Sequence, residues 1–166
     1  MRVFVIGTGR CGTVTFSKAC SHFNNYTSGH ESKTQNNDLV YADNHIECDP
    51  HLFWQLPNLI ERYPDAIIIH LKRERESCIE SLSKRPSLKK YQAFTEMTNN
   101  FNANQIATKY YDFCTKTIEH VIGDCMTMNL TPSIEKWTEF CEMIGEVSNS
   151  EIEKSFAEWN TKHNRS

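Results

Sequence analysis

The sequence predicts an α/β fold in three layers, a central parallel sheet with helices on both faces. Three observations predict it. Arg2 to Ile6 and Ala66 to Leu71 are apolar, β-branched runs without alternation, as strands buried on both faces require. Segments whose apolar residues recur three and four apart follow such runs, as amphipathic helices do. With 166 residues, 39% of them hydrophobic, the chain can bury one core and is short for two, so residues 1–166 are expected to form a single domain.

Taken in order, the opening strand Arg2 to Ile6 leads into a helix whose stripe is Phe16, Ala19, Cys20 and Phe23. Asn24 to Asn37, rich in Ser, Thr, Asn and Gly, is expected to be an exposed loop with a short edge strand near Tyr26. Val40 to Cys48 is a weak strand, and Leu52 to Tyr63 a helix that Pro57 begins or kinks. After the strand Ala66 to Leu71, Glu76 to Ser83 is the next helix. Ile106, Tyr110, Phe113, Thr117 and Val121 mark a long one stopping at Gly123. Cys125 to Asn129 is the last strand. Thr131 as N-cap and Pro132 as first residue then open a helix with Ile134, Trp137, Cys141 and Ile144 as its buried stripe.

Composition limits the partners. A formal charge of -3 argues against a chain that coats nucleic acid, because such proteins carry a broad basic surface. An anion must instead meet a local cluster, and Lys72 to Lys90 holds seven Lys or Arg against Glu74, Glu76 and Glu80. Seven cysteines without paired short spacings suit a reducing compartment. Neither CxxC nor HExxH occurs, so no metal is expected. The first residues lack the long apolar stretch of a signal peptide or membrane span, so the protein is expected to be soluble and cytoplasmic, with no membrane partner.

The chemistry centres on Gly7-Thr8-Gly9-Arg10-Cys11-Gly12-Thr13, set between a buried strand and a helix. Glycines there let backbone N–H groups wrap a phosphate, which the helix dipole favours. The string matches GxGxxG, the fingerprint of an NAD(P)-binding oxidoreductase, but that reading also wants a second apolar strand ending in an acid. Glu31 has the distance, whereas Asn24 to His30 is a poor buried strand. A kinase-type loop would need Gly-Lys-Ser/Thr, and Gly12 is followed by Thr13 and Val14.

A third family fits both this turn and a second signal. Arg10-Cys11-Gly12-Thr13 resembles the Lys/Arg-Ser/Gly-Gly-Thr loop of the sulfotransferases, with Val14 departing from a second Thr. Arg73, after the Ala66 to Lys72 run, and Ser81, eight residues on, resemble that family's pair for a 3′-phosphate. Leu59 to Ala66 and Trp137 to Gly145 also resemble family segments, so the likeness spans nearly the whole chain.

The resemblance implies a P-loop-type fold and transfer of a sulfuryl group from 3′-phosphoadenosine 5′-phosphosulfate (PAPS) to a small-molecule or carbohydrate acceptor bearing a hydroxyl or amine. Gly9, Arg10, Cys11, Gly12, Thr13, Val14 and Thr15 would hold the 5′ end, Arg73 and Ser81 the 3′-phosphate, and Arg10 would also face the departing oxygen. Glu31 in Gly29-His30-Glu31 matches the family's base, with His30 as the alternative. Cys48 stands where a family Glu-Lys-x-Pro segment has Lys, which leaves open a nucleotide-binding protein without catalysis. His45 or His51 could contact the acceptor, His70 is expected in the core, and Lys84, Arg85, Lys89 and Lys90 could replace a basic segment that larger relatives close over the nucleotide.

Overall fold

The computed structural model describes residues 1–33, 39–86, 101–123, 125–145 and 147–161. Five parallel strands form the sheet: β1 (Arg2–Ile6), β2 (Thr27–His30), β3 (His45–Cys48), β4 (Ile67–Lys72) and β5 (Met126–Asn129). Their spatial order is β2-β3-β1-β4-β5, which places β1 at the centre between β3 and β4. Both faces are covered, giving the three-layer α/β architecture of the P-loop type that the sequence predicts.

The absence of alternation in β1 now has its cause. Val3 and Val5 enter a cluster with Phe16, Trp137, Phe140 and Trp159, while Phe4 and Ile6 enter a second with Leu56, Ile79, Tyr110 and Ile118. The first cluster is covered by α1 (Thr13–Cys20), α5 (Ile134–Ile144) and α6 (Asn149–Trp159). The second is covered by a 3₁₀ helix (Pro50–Gln55), α2 (Leu56–Arg62), α3 (Arg75–Ser83) and α4 (Ala103–Ile122). Among the described residues, no helix is long and apolar enough to cross a membrane. All seven cysteines are free.

Several boundaries differ from expectation. Helix α1 ends at Cys20, yet Phe23 beyond it remains buried, its ring 6.3 Å from both Trp137 and Phe140. The short edge strand expected near Tyr26 is β2, which starts one residue later, while residues 34–38 of the expected loop lie outside the described set. The strand expected from Val40 begins only at His45. The helix expected from Leu52 starts earlier as a 3₁₀ helix, because the Asp49 side chain accepts the His51 amide at 2.7 Å, and it becomes α-helical at Leu56. The stripe of α4 runs Ile106, Tyr110, Cys114, Ile118, so Phe113 is 38% exposed rather than buried.

At α5 the cap is Ser133, whose hydroxyl accepts the Lys136 amide, rather than Thr131. Ile134 therefore begins the helix facing outward, and Trp137, Phe140, Cys141 and Ile144 are the buried stripe. Helix α6 has no counterpart among the expected elements. Its signature was nevertheless present, a capping box in which Ser148 and Glu151 satisfy each other's amides.

Packing beneath α1 fixes the turn that precedes it. The Phe16 ring lies 5.3, 5.2 and 4.9 Å from those of Trp137, Phe140 and Trp159, all edge-on. Such pairs contribute about 0.5–1.5 kcal/mol each beyond area burial, so α1 is held firmly against α5 and α6.

Candidate functional site

Between β1 and α1 the chain turns through three left-handed residues, Gly9 at φ 70°, Arg10 at 58° and Gly12 at 106°. Gly12 is favoured by its left-handed backbone, and a Cβ there would in addition push aside the end of the Leu130 side chain, whose Cδ1 would lie 2.2 Å away. Cys11 is wholly buried and its thiol is pushed up to about 12 by burial, so its side chain belongs to the core and only its backbone faces the turn. Gly12 caps α1 without a side chain, and no acid occupies the first helical turn. The amides of Thr13, Val14 and Thr15 thus open on a positive helix end, the arrangement that binds oxyanions.

Two side chains from the far half of the sheet meet this turn. Arg10 Nε donates to Ser81 Oγ at 2.9 Å, and Arg73 Nη1 donates to the Arg10 carbonyl at 3.3 Å. Arg73 follows directly on β4, and α3, which carries Ser81, is capped by the Glu74 carboxylate. Cys78 fastens α3 beneath the turn, its thiol donating to the Gly9 carbonyl at 3.4 Å. The Arg10 guanidinium is held below its usual value by burial, then by the charges of Arg85 and Arg73. Among the described residues, no carboxylate lies within ion-pair distance of these three arginines. Guanidiniums without a direct ion-pair partner, beside open helix-end amides, suit an anion, although Glu74 and Glu80 feel the charge of Arg73.

The opposite wall is the end of β2. Thr13 Oγ1 lies 3.1 Å from His30 Nε2, and that nitrogen lies 3.7 Å from Glu31 Oε1. Glu31 is exposed and left-handed at φ 52°. The next residue, Ser32, donates its amide to Glu47 Oε1 at 3.0 Å and its hydroxyl to Glu47 Oε2. Glu47 is completely buried; burial alone would raise its pKa, but the hydrogen bonds from His45 and Ser32 hold it below the usual carboxylate range.

A sulfotransferase-domain family model matches residues 23–164. The chain belongs to the sulfotransferase family. No curated protein matches it. The match starts at Phe23, so the glycine turn lies upstream of it and stands on its own geometry.

In this sulfotransferase domain the strand order also disposes of the dinucleotide reading. A dinucleotide fold sets its second strand beside the first, so that the acid ending it reaches the ribose over the shared turn. Here β3 separates β2 from β1, which leaves Glu31 at the sheet edge. Cys48 ends β3 opposite Val5, wholly buried, with its thiol raised well above its usual value by burial.

The structure brings Gly9, Arg10, Gly12, Thr13, Arg73 and Ser81 together, and joins His30 to that group through Thr13. It turns Cys11 and Cys48 away from it. His45 is engaged with Glu47 and Thr27, His70 is buried, and Lys84 pairs with Glu80 at 2.6 Å. Lys89 and Lys90 lie outside the described residues. Arg85, expected with Lys84, Lys89 and Lys90 to replace a basic segment over the nucleotide, is near enough for its charge to lower the pKa of Arg10.

Proposed function

We propose that this domain transfers a sulfuryl group from PAPS to a hydroxyl or amine acceptor by in-line displacement. One observation carries the reading: Arg10, Arg73 and Ser81, 63 and 71 residues apart in sequence, meet through hydrogen bonds where the uncapped α1 amides open. A nucleotide with phosphate at both ends needs cations and amides at two adjacent places, and both kinds of group are present here.

PAPS would supply the activated sulfuryl group on its 5′-phosphosulfate end. The turn from Gly9 to Thr15 is assigned to the 5′ end through backbone amides and the Thr13 and Thr15 hydroxyls. Arg73, Ser81 and Arg85 are assigned to the 3′-phosphate. Arg10 would stand beside the phosphate oxygen that takes charge as the sulfuryl group departs, a role suited to a delocalised cation. Glu31 is assigned as the base that takes the acceptor's proton, with His30 bridging it to Thr13. A positioned base contributes typically about 10²–10⁴-fold.

The test is thermal unfolding with adenosine 3′,5′-bisphosphate, NAD and Mg-ATP in parallel. At a hundredfold excess over its dissociation constant, a ligand of the folded state adds about 2.7 kcal/mol. For a chain of this size that raises Tm by about 5–10 °C. Stabilisation by the bisphosphate supports the reading, and stabilisation by NAD alone rejects it.

The burial of Cys48 favours a second reading, a nucleotide-binding domain without turnover. Bisphosphate binding with no PAPS consumed against phenol, a monosaccharide or an alkylamine would select it.

A further inference from the structure

We infer that Glu47 is a positioning residue of the acceptor side, its carboxylate fixing the register of β2 and thereby the aim of His30 and Glu31. The inference rests on the proposed role of Glu31 and concerns a residue that does not itself face the acceptor.

Strand β2 is weakly specified by its own sequence. It has four residues, Thr27-Ser28-Gly29-His30, and among the described residues sits at the sheet edge with β3 as its one neighbour. Short, Gly-containing strands with no large apolar side chain slip easily in register, and a one-residue slip would turn His30 to the opposite face. Something must hold it, and Glu47 lies directly opposite Gly29 on β3.

The carboxylate grips both ends of the strand. Beyond the C-terminal end it accepts the Ser32 amide and hydroxyl. Toward the N-terminal end His45 Nε2 lies 3.0 Å from Glu47 Oε2, while His45 Nδ1 lies 2.8 Å from Thr27 Oγ1. The strand is shaped around this group, because a Cβ at Gly29 would come within 2.8 Å of Glu47 Oε2 and 3.2 Å of the His45 ring.

A fully buried carboxylate is otherwise unfavourable, so its three partners are the compensation that keeps it charged. The left-handed Glu31 is then pinned from both sides, by Ser32 on Glu47 and by His30 on Thr13. Such a backbone conformation costs of order 1 kcal/mol or more and persists only where its surroundings enforce it.

The experiment compares Glu47→Gln, Ser32→Ala and Ser32→Thr with the native chain. In the unliganded protein, amide hydrogen exchange over residues 28–33 should quicken about tenfold or more in Glu47→Gln and in Ser32→Ala, with β1 and β4 unchanged. This readout needs no acceptor. With PAPS and p-nitrophenol as probe acceptor, kcat should fall about 10–100-fold while bisphosphate affinity stays within about twofold, as expected for misaimed rather than missing groups. Ser32→Thr, which keeps the hydroxyl, should recover most of the loss. Unchanged exchange and kcat in both Glu47→Gln and Ser32→Ala would overturn the inference. So would a loss spread evenly over bisphosphate affinity and the exchange of the whole sheet. Glu31→Gln separates the two ideas: full turnover there removes the base assignment alone, whereas an inactive Glu31→Gln beside a fully active Glu47→Gln overturns the positioning role alone.

Discussion

Arg10 donates through Nε to the hydroxyl of Ser81 at 2.9 Å, closing a distance of 71 residues between the turn after β1 and the helix after β4. The bond orients the guanidinium without neutralising it. Burial and the nearby charges of Arg85 and Arg73 lower the pKa of Arg10, so the cluster carries repulsion that a bound anion would relieve.

Arg73→Ala should therefore weaken binding far more than it weakens the fold. Among the described residues Arg73 makes one long hydrogen bond, 3.3 Å to the Arg10 carbonyl, and its removal takes a like charge from beside Arg10 while losing the weak attraction of the exposed Glu74 and Glu80. Hydrogen bonds to charged groups are worth about 1.5–3 kcal/mol, so the dissociation constant for adenosine 3′,5′-bisphosphate should rise about 10–100-fold. Titration calorimetry reads this directly, and Tm without ligand should move by no more than about 2 °C. Native affinity in Arg73→Ala would remove Arg73 from the nucleotide site.

Gly7→Ala should damage the turn through sterics alone. A Cβ at Gly7 would sit 2.5 Å from the Leu71 carbonyl oxygen and 2.6 Å from Cys11 Sγ. The first is backbone of the neighbouring strand and cannot swing aside, so β1 and β4 must part or the turn must move. Overpacking of this kind costs about 1–3 kcal/mol. For a chain of this length Tm should fall by about 2–10 °C, and bisphosphate affinity should fall with it because Cys11 lies inside the turn. An unaltered Tm would show that the junction is softer than its packing implies.

The parts of this molecule legible in the sequence are those where one local rule decides. Buried strands such as Ile67 to Lys72 announce themselves by composition, and Gly123 does stop α4. The glycine turn is legible because left-handed backbone leaves few residue choices. What escaped is relational. No periodicity tells that Thr13 meets His30 or that Glu47 holds Ser32, since both contacts depend on β3 lying between β1 and β2. Helix α6 escaped for another reason: its sequence Asn149–Trp159 is polar on most faces, and two of its three buried residues, Glu151 and Ser155, are themselves polar, with Trp159 the third. The cap of α5 was misplaced by two residues because Thr131 and Ser133 flank Pro132 and both can cap; it is the Ser133 hydroxyl that accepts the Lys136 amide.

The same burial that makes His70 a core residue makes the fold sensitive to acid. His70 lies within β4, 2% exposed, and its pKa is lowered to about 4, first by burial and then by the charge of Lys72. In the unfolded chain its value is near 6.5. Above that pH both states are neutral and the group contributes no pH dependence. As pH falls from about 6.5 toward 4, the unfolded chain takes up a proton that the folded one refuses, so stability declines by up to about 1.4 kcal/mol per pH unit. The decline from this group levels off below about 4, after a total of order 3 kcal/mol. Leucine has similar bulk and suits the apolar surroundings, so His70→Leu should flatten this limb while carboxylates elsewhere titrate alike in both proteins. Urea unfolding at pH 7 and at pH 4.5 measures the difference: the native chain should lose about 2–3 kcal/mol more than the variant. Equal losses would mean that His70 takes up its proton in the folded protein as readily as in the unfolded chain.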